Sequence, residues 1–280
     1  MSGYSSKLVK RLLKARGVRL NLVDPPFEIQ VCELCYLLKR ARNTYFGQTH
    51  GFDKVLEAFT RSPEEGFSSY KVHVPIYTYK SIYPFWFRMK QGEANICWPG
   101  KIRRFALTSG TSEGSSKYIP VSLEILRSNF KAKAGLIAEL YDNPDCKDML
   151  QSDILAVTST SSLIKEDHAF KGDISGMSLN LLPIWLGFKP GKKIAAMINW
   201  SDRIDAIAER APEWDIGALV GFPSWCQILL DRIISRHGLK NIHEIWPNLM
   251  VFTHGGVYLD TYKPLLEKVW GRPMIYMDVY

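Results

Sequence analysis

The sequence predicts an α/β fold with a largely parallel sheet, and three observations predict it. Beyond residue 150, short apolar runs at 153–157, 194–198, 216–220, 249–253 and 274–279 alternate with helical stretches at 203–210, 222–237 and 260–270. Strands that alternate with helices make βαβ units. The run Phe105-Ala106-Leu107 opens into Ser109-Gly110-Thr111-Ser112-Glu113-Gly114-Ser115-Ser116-Lys117, a strand leading into a loop of small residues. The chain has 280 residues, of which 46% are hydrophobic and 12% aromatic, enough for one large packed domain or two smaller ones.

The elements follow in order. Residues 5–16 and 28–42 read as helices, separated by Asp24-Pro25-Pro26, because proline restricts both itself and its predecessor. Val31, Cys32, Leu34, Cys35, Leu37 and Leu38 form the apolar side of the second helix. A short helix is expected at 52–59. Ser68 to Tyr79 is mixed, with a bend at Val74-Pro75, and 80–91 is helical up to Gly92. Trp98-Pro99-Gly100 is a turn. Residues 122–142 make the clearest helix: Ser122 caps it, Leu123, Leu126, Phe130, Ala134, Ile137 and Tyr141 repeat at helical spacing, and Asn143-Pro144 ends it. Residues 159–191 read as one long loop, a common place for function.

Composition narrows the class. No apolar stretch approaches the ~18 residues that span a bilayer, so a soluble, cytoplasmic protein without a membrane partner is expected. The basic first 20 residues, with Leu8, Val9, Leu12 and Leu13 on one face, suit an ordinary amphipathic helix or a targeting segment. The formal charge is +8, but the basic residues are dispersed and interleave with no aromatic stripe, so no nucleic-acid partner is expected. The five cysteines, Cys32, Cys35, Cys97, Cys146 and Cys226, are odd in number and scattered, which favours free thiols in a reducing compartment. No His/Ser/Asp or metal-ligand constellation stands out.

The loop at 109–117 suits a polyphosphate. Glycines let the backbone come close, main-chain N–H groups and hydroxyls donate, and Lys117 adds charge. It is not a Walker loop, because two serines separate Gly114 from Lys117 and no Ser or Thr follows the lysine. No Gly-x-Gly-x-x-Gly fingerprint is present either.

Thr-Ser-Gly-Thr-Ser-x-Gly-x-x-Lys resembles the phosphate loop of adenylate-forming enzymes. More of the chain resembles the Gretchen Hagen, or auxin-responsive promoter, family of acyl-acid amido synthetases, and its bacterial members most. The resembling residues are Thr44-Tyr45-Phe46-Gly47, Val74-Pro75-Ile76 with Tyr79, Gly92-Glu93 and Trp98-Pro99-Gly100. They continue with Lys117-Tyr118-Ile119-Pro120, Gly172-Asp173-Ile174-Ser175-Gly176 and Gly221-Phe222-Pro223-Ser224-Trp225. Trp246-Pro247-Asn248-Leu249 and Phe252-x-His254-Gly255-Gly256-Val257 complete the set. They run co-linearly from about residue 25 onward. The loop departs from the wider adenylate-forming pattern: Ser116 stands where a proline often precedes the lysine, and one extra residue separates the Thr-Ser pair from the glycine.

The resemblance implies a fold and a set of roles. The fold is the N-terminal large domain of an adenylate-forming enzyme, truncated, with parallel and mixed sheets flanked by helices. Residues 1–100 would be a mainly helical lead-in and 101–280 the α/β part, with the C-terminal domain absent. ATP with Mg2+ would activate a small carboxylic acid, and an amine such as an amino acid would take the acyl group; transfer to coenzyme A and a non-catalytic binding module are the alternatives. Ser109, Gly110, Thr111, Ser112 and Gly114 would contact the phosphates. Lys117 would either meet them or anchor the loop. Phe130, Ala134, Thr158, Val220, Gly221 and Phe222 would line the acyl pocket, with core packing as the other role open to Phe130 and a structural turn to Gly221. Gly255 and Gly256 would lie against adenine and acyl group, Tyr280 would stack on adenine, and His254 would touch the acyl-adenylate or serve the fold. Family members extend past a Tyr-x-x-Ser-Glu motif whose tyrosine matches Tyr280. A fragment is therefore expected, with its Mg2+ carboxylate beyond Tyr280 and no turnover of its own.

Overall fold

A computed structural model describes residues 25–108, 116–129, 140, 146, 149–180 and 188–279. The expected helix at 5–16 and the residues Ser109, Gly110, Thr111, Ser112, Gly114, Phe130, Ala134 and Tyr280 lie outside them. Described residues within Leu20–Arg127 and Leu163–Gly172 form one compact unit, and those within Ser128–Ser162 and Asp173–Tyr280 form another.

The first unit starts with five helices: α1 (Pro26–Ala41), α2 (Tyr45–Thr49), α3 (Phe52–Arg61), α4 (Pro63–His73) and α5 (Tyr79–Lys90). Local chemistry sets their starts. Pro26 stands in the first turn of α1, Thr44 Oγ1 accepts from Gly47 N, and Ser62 Oγ accepts from Glu65 N with Pro63 behind it. Thr78 and Ser81 form a reciprocal capping box at α5. Gly47 is required by close packing: a Cβ there would lie 2.2 Å from the Ala41 carbonyl oxygen. The helices pack around Leu38, Ala41, Phe52 and Val55.

A four-stranded mixed sheet completes this unit, in the order β2-β1-β5-β4: β1 (Arg104–Leu107), β2 (Tyr118–Val121), β4 (Ile164–Glu166) and β5 (Ala169–Gly172). β1 runs antiparallel to β2 and parallel to β5. Phe105, Ile96, Ile102 and Met89 form its core. Residues 123–129 then form helix α6, and Ser122 Oγ accepts from Ile125 N, the cap the sequence predicts.

The second unit is built on a five-stranded sheet in the order β6-β3-β7-β8-β9: β3 (Asp153–Val157), β6 (Phe188–Lys189), β7 (Ile216–Gly221), β8 (Val251–His254) and β9 (Ile275–Asp278). Every pairing is parallel. Both faces are covered, so its strands read as continuous apolar runs. Leu155, Leu219 and Phe252 face a core with Ile204, Ile207, Leu229, Leu230 and Trp246. Their neighbours Ile154, Ala218 and Val251 point the other way, to Cys146 and Met149. The helices are α7 (Ile174–Leu179), α8 (Lys192–Ala195), α9 (Trp200–Arg210), α10 (Pro223–His237) and α11 (Lys263–Val269).

Some expectations are corrected. The run at 194–198 is no strand: Ile194 and Ala195 are buried in the short helix α8, Ile198 is exposed, and the edge strand is β6. A five-residue apolar run fits either state, and Ala195-Ala196 favours the helical one. The span 159–191 is not one loop, since it contains β4, β5, α7 and β6. Residues 63–73 form a full helix, which takes in the first part, 68–73, of the stretch expected to be mixed. Cys32 and Leu37 are exposed, so the apolar side of α1 is narrower than its composition suggests.

Candidate functional site

The parallel sheet brings Thr158, Val220, Gly221, Phe222, His254, Gly255 and Gly256 to one edge. The chain passes from β3 to β6 on one side and from β7 to β8 on the other, so β3 and β7 flank the point where strand order reverses. In open α/β sheets, ligands bind beyond the C-terminal strand ends at that point. Thr158 follows β3, Val220 and Gly221 end β7, Phe222 follows, and His254-Gly255-Gly256 leaves β8.

Two motif segments meet at the end of β3. Asp173 Oδ1 accepts from Ser175 N at 2.7 Å and caps α7. The Ser175 and Ser159 hydroxyls lie 3.2 Å apart. A Cβ on Gly176 would sit 2.1 Å from the Thr160 carbonyl oxygen. The Asp173–Gly176 motif thus holds the backbone at Thr158–Ser161 in place.

The β7 end is equally constrained. A Cβ on Gly221 would lie 2.6 Å from the Val157 carbonyl oxygen and 2.9 Å from Cys226 Sγ. Phe222 precedes α10, half exposed, with its ring 5.0 Å from Trp225, which in turn lies 4.7 Å from Trp200. The glycine pair has its own reasons in the packing. A Cβ on Gly255 would meet the Val279 carbonyl oxygen at 2.1 Å, and one on Gly256, at φ +80°, would meet the Phe222 ring at 2.2 Å.

His254 is buried, and its Nδ1 has no hydrogen-bond partner among the described residues, lying 3.7 Å from Asp278 Oδ1. Burial pulls its pKa below the usual histidine value, and Asp278 opposes that pull. Trp246 is wholly buried and donates from Nε1 to Ala211 O at 2.9 Å, so its motif serves the core.

In the other unit, β1 and β2 form an antiparallel pair, and their connection carries the sequence 109–117 expected to meet phosphate. Thr108 and Lys117 close its base: Thr108 N donates to Lys117 O at 3.1 Å, and Lys117 N donates to Thr108 Oγ1 at 3.0 Å. Lys117 Nζ lies 5.2 Å from the Tyr79 ring centre, and Tyr79 Oη accepts from Tyr118 N at 3.0 Å. The α5 start therefore clamps the far end of the loop.

A family model described as the GH3 family N-terminal domain matches residues 21–183. The chain belongs to the GH3 family. Solved structures agree on the fold. The acyl acid amido synthetase GH3.15 matches at 15% identity and a TM-score of 0.66, covering 90% of this chain and 52% of that one. AtGH3.15 acyl acid amido synthetase in complex with 2,4-DB matches at 16% and 0.67, covering 98% and 55%. An open conformation of 2-hydroxyisobutyryl-CoA ligase, in complex with 2-HIB-AMP and CoA, matches at 15% and 0.50, covering 90% and 52%. The fold is that of adenylate-forming enzymes, and this GH3 chain spans about half the length of the solved relatives it matches. No curated protein matches the sequence.

The burial of Arg203 in this GH3 chain was not expected from its sequence. Positions 200, 203, 204, 207 and 208 share one face of α9, and all but Trp200 are buried. An arginine on an otherwise apolar face was the available signal. Among the described residues, no three His, Cys, Asp or Glu side chains are grouped to hold a metal, and no helix is long and apolar enough to cross a membrane.

Proposed function

We propose that this chain is part of an ATP-dependent ligase that adenylates a carboxylic acid and passes the acyl group to an amine such as an amino acid. The observation that carries this reading is the convergence of Thr158, Gly221, Phe222, His254 and Gly255 at the C-terminal edge of one parallel sheet, in a chain of the GH3 family. The acid's carboxylate attacks the α-phosphorus of ATP. Pyrophosphate leaves with the electron pair of the broken P–O bond, and the acyl-adenylate then yields acyl group to the amine and releases AMP. The protein's work is positioning and charge stabilisation.

The roles are those the family resemblance implies. Ser109, Gly110, Thr111, Ser112 and Gly114 offer amides and hydroxyls to the triphosphate, while Lys117 secures the loop base. Thr158, Val220, Gly221 and Phe222 border the acyl group, with Phe130 and Ala134 as its further wall. Gly255, Gly256 and Tyr280 serve adenine. Mg2+ arriving with the triphosphate needs no cage of protein ligands. Residues 1–100 serve as a helical lead-in to the α/β part.

Acid-dependent ATP–pyrophosphate exchange by the full gene product tests this reading. Exchange with at least one member of a broad carboxylic-acid panel is expected. Its absence across the panel would favour a non-catalytic acyl-acid or nucleotide binder. Mass detection of an amide product, as opposed to a thioester with coenzyme A, settles the acceptor.

A further inference from the structure

Cys32 and Cys35 are the only Cys-x-x-Cys pair in the sequence, and adenylation gives them no part. They stand three residues apart within α1, so they share one face of that helix. That face is not core: Cys32 is exposed, Cys35 is half-buried, and both are free thiols. Ile29 and Tyr36, each about half exposed, lie one turn to either side of Cys32. Among the described residues, no third His, Cys, Asp or Glu joins the pair.

A dithiol can close to a disulfide, hold zinc or hold a softer ion, and geometry separates the three. In a regular helix, Cβ atoms three residues apart lie about 5–6 Å from each other. A disulfide needs about 3.5–4.5 Å. The α1 backbone thus holds the sulfurs too far apart for an unstrained S–S bond, whereas an ion between them lengthens the link by a second bond. Structural zinc takes four ligands, and two thiolates are all that this face supplies. Cu(I) is soft, prefers thiolate sulfur, and is satisfied by two such ligands.

We propose that Cys32 and Cys35 form a two-thiolate site for Cu(I) on the surface of α1. Two Cu–S bonds form as two S–H bonds break, and both protons pass to solvent. No electron moves: copper stays in the +1 state and the thiols need no oxidant. Burial raises the pKa of the Cys35 thiol, Lys39 one turn further along opposes that rise, and a Cys32 thiolate adds to it. Protons therefore compete with the ion, and binding weakens as pH falls. Ile29 and Tyr36 flank the sulfurs with apolar surface that limits water at the ion. The site is independent of the adenylation reading, which places no residue of α1 around ATP or the acyl group.

Titration of the reduced full gene product with Cu(I) tests it, in the absence of oxygen and against a chromogenic Cu(I) chelator. The parent should hold one copper per chain at this site. Cys32→Ser and Cys35→Ser should each weaken that binding by on the order of 100-fold, with circular dichroism unchanged. Cys97→Ser should bind as the parent does. X-ray absorption at the copper edge should show sulfur neighbours in the parent. Copper held as tightly by folded Cys32→Ser as by the parent overturns the proposal. One copper per two chains, with dimerisation, also overturns it and moves the ligands to an interface between copies. Ready closure of Cys32 and Cys35 to an intramolecular disulfide by glutathione disulfide, with helix content unchanged, would refute the spacing argument and make the pair a redox couple.

Discussion

Gly256 and Phe222 are locked against each other: a Cβ at Gly256 would stand 2.2 Å from the Phe222 ring, and Gly256 holds φ at +80°. Gly256→Ala therefore meets two penalties, a left-handed backbone costing roughly 1 kcal/mol or more and a displaced ring. The double variant Gly256→Ala/Phe222→Ala should recover the ring part and keep the backbone part. Urea unfolding of the set checks this, and strict additivity of the two single changes would show that the ring contact does not matter.

Gly176 and Thr160 make a comparable contact through backbone alone. The blocking atom at 2.1 Å is a carbonyl oxygen, which cannot turn aside as a phenyl ring can. Gly176→Ala is expected to destabilise the chain by about 1–3 kcal/mol, as overpacking does. It should also weaken acid-dependent exchange, because Thr158 and Ser159 move with the strand end. A variant with unchanged unfolding midpoint would show that the motif does not hold this segment.

The parallel sheet was legible because both of its faces are covered, so β3, β7, β8 and β9 appear as apolar runs between helices. The glycines at 176, 221, 255 and 256 were legible as motif residues, but their packing reasons lay in contacts distant in sequence. The short strands β4 and β5 carry Lys165, Glu166 and Lys171, which gave no apolar run to find. α4 had a readable start in Ser62-Pro63-Glu64-Glu65, passed over because its apolar face is weak. Arg203 was missed because a charge near an apolar stripe reads as surface until burial is known.

In the full gene product, Gly110→Val should abolish exchange and leave the unfolding midpoint near that of the parent, because a β-branched side chain would occupy the anion's approach. Thr108→Val removes the acceptor of Lys117 N and should cost about 1 kcal/mol of stability with a milder loss of exchange. Full exchange by the Gly110 variant would remove the loop from the site.

The thiols should separate by burial. Cys32 is exposed, whereas Cys146 and Cys226 are buried. Burial pushes the Cys97 thiol up to about 12 and raises the Cys226 thiol further. Since the thiolate is the nucleophile, iodoacetamide at neutral pH should modify Cys32 well before Cys97 or Cys226. Peptide mapping over time reads the order directly, and early modification of Cys226 would contradict the packing of α10 on β7.

His243 ties neutral pH to stability. Its Nε2 lies 2.8 Å from Leu249 O, and its Nδ1 accepts from Gly271 N at 2.9 Å. That pair of bonds requires a neutral ring with the proton on Nε2, and a second proton on Nδ1 would break the bond from Gly271. Burial, with help from Arg272, lowers its pKa, and the bond to Leu249 opposes them; His254 is lowered by burial too. A base with a folded pKa below its unfolded value of about 6.5 takes up its proton more readily when unfolded. Its contribution to stability is complete above the unfolded pKa and is lost as pH falls through the folded one. Unfolding free energy should therefore drop as pH falls below the unfolded value of about 6.5, and His243→Gln should flatten that slope whatever it does to the value at neutral pH. Urea titrations across this range decide the matter, and an unaltered slope in the variant would place the acid sensitivity elsewhere.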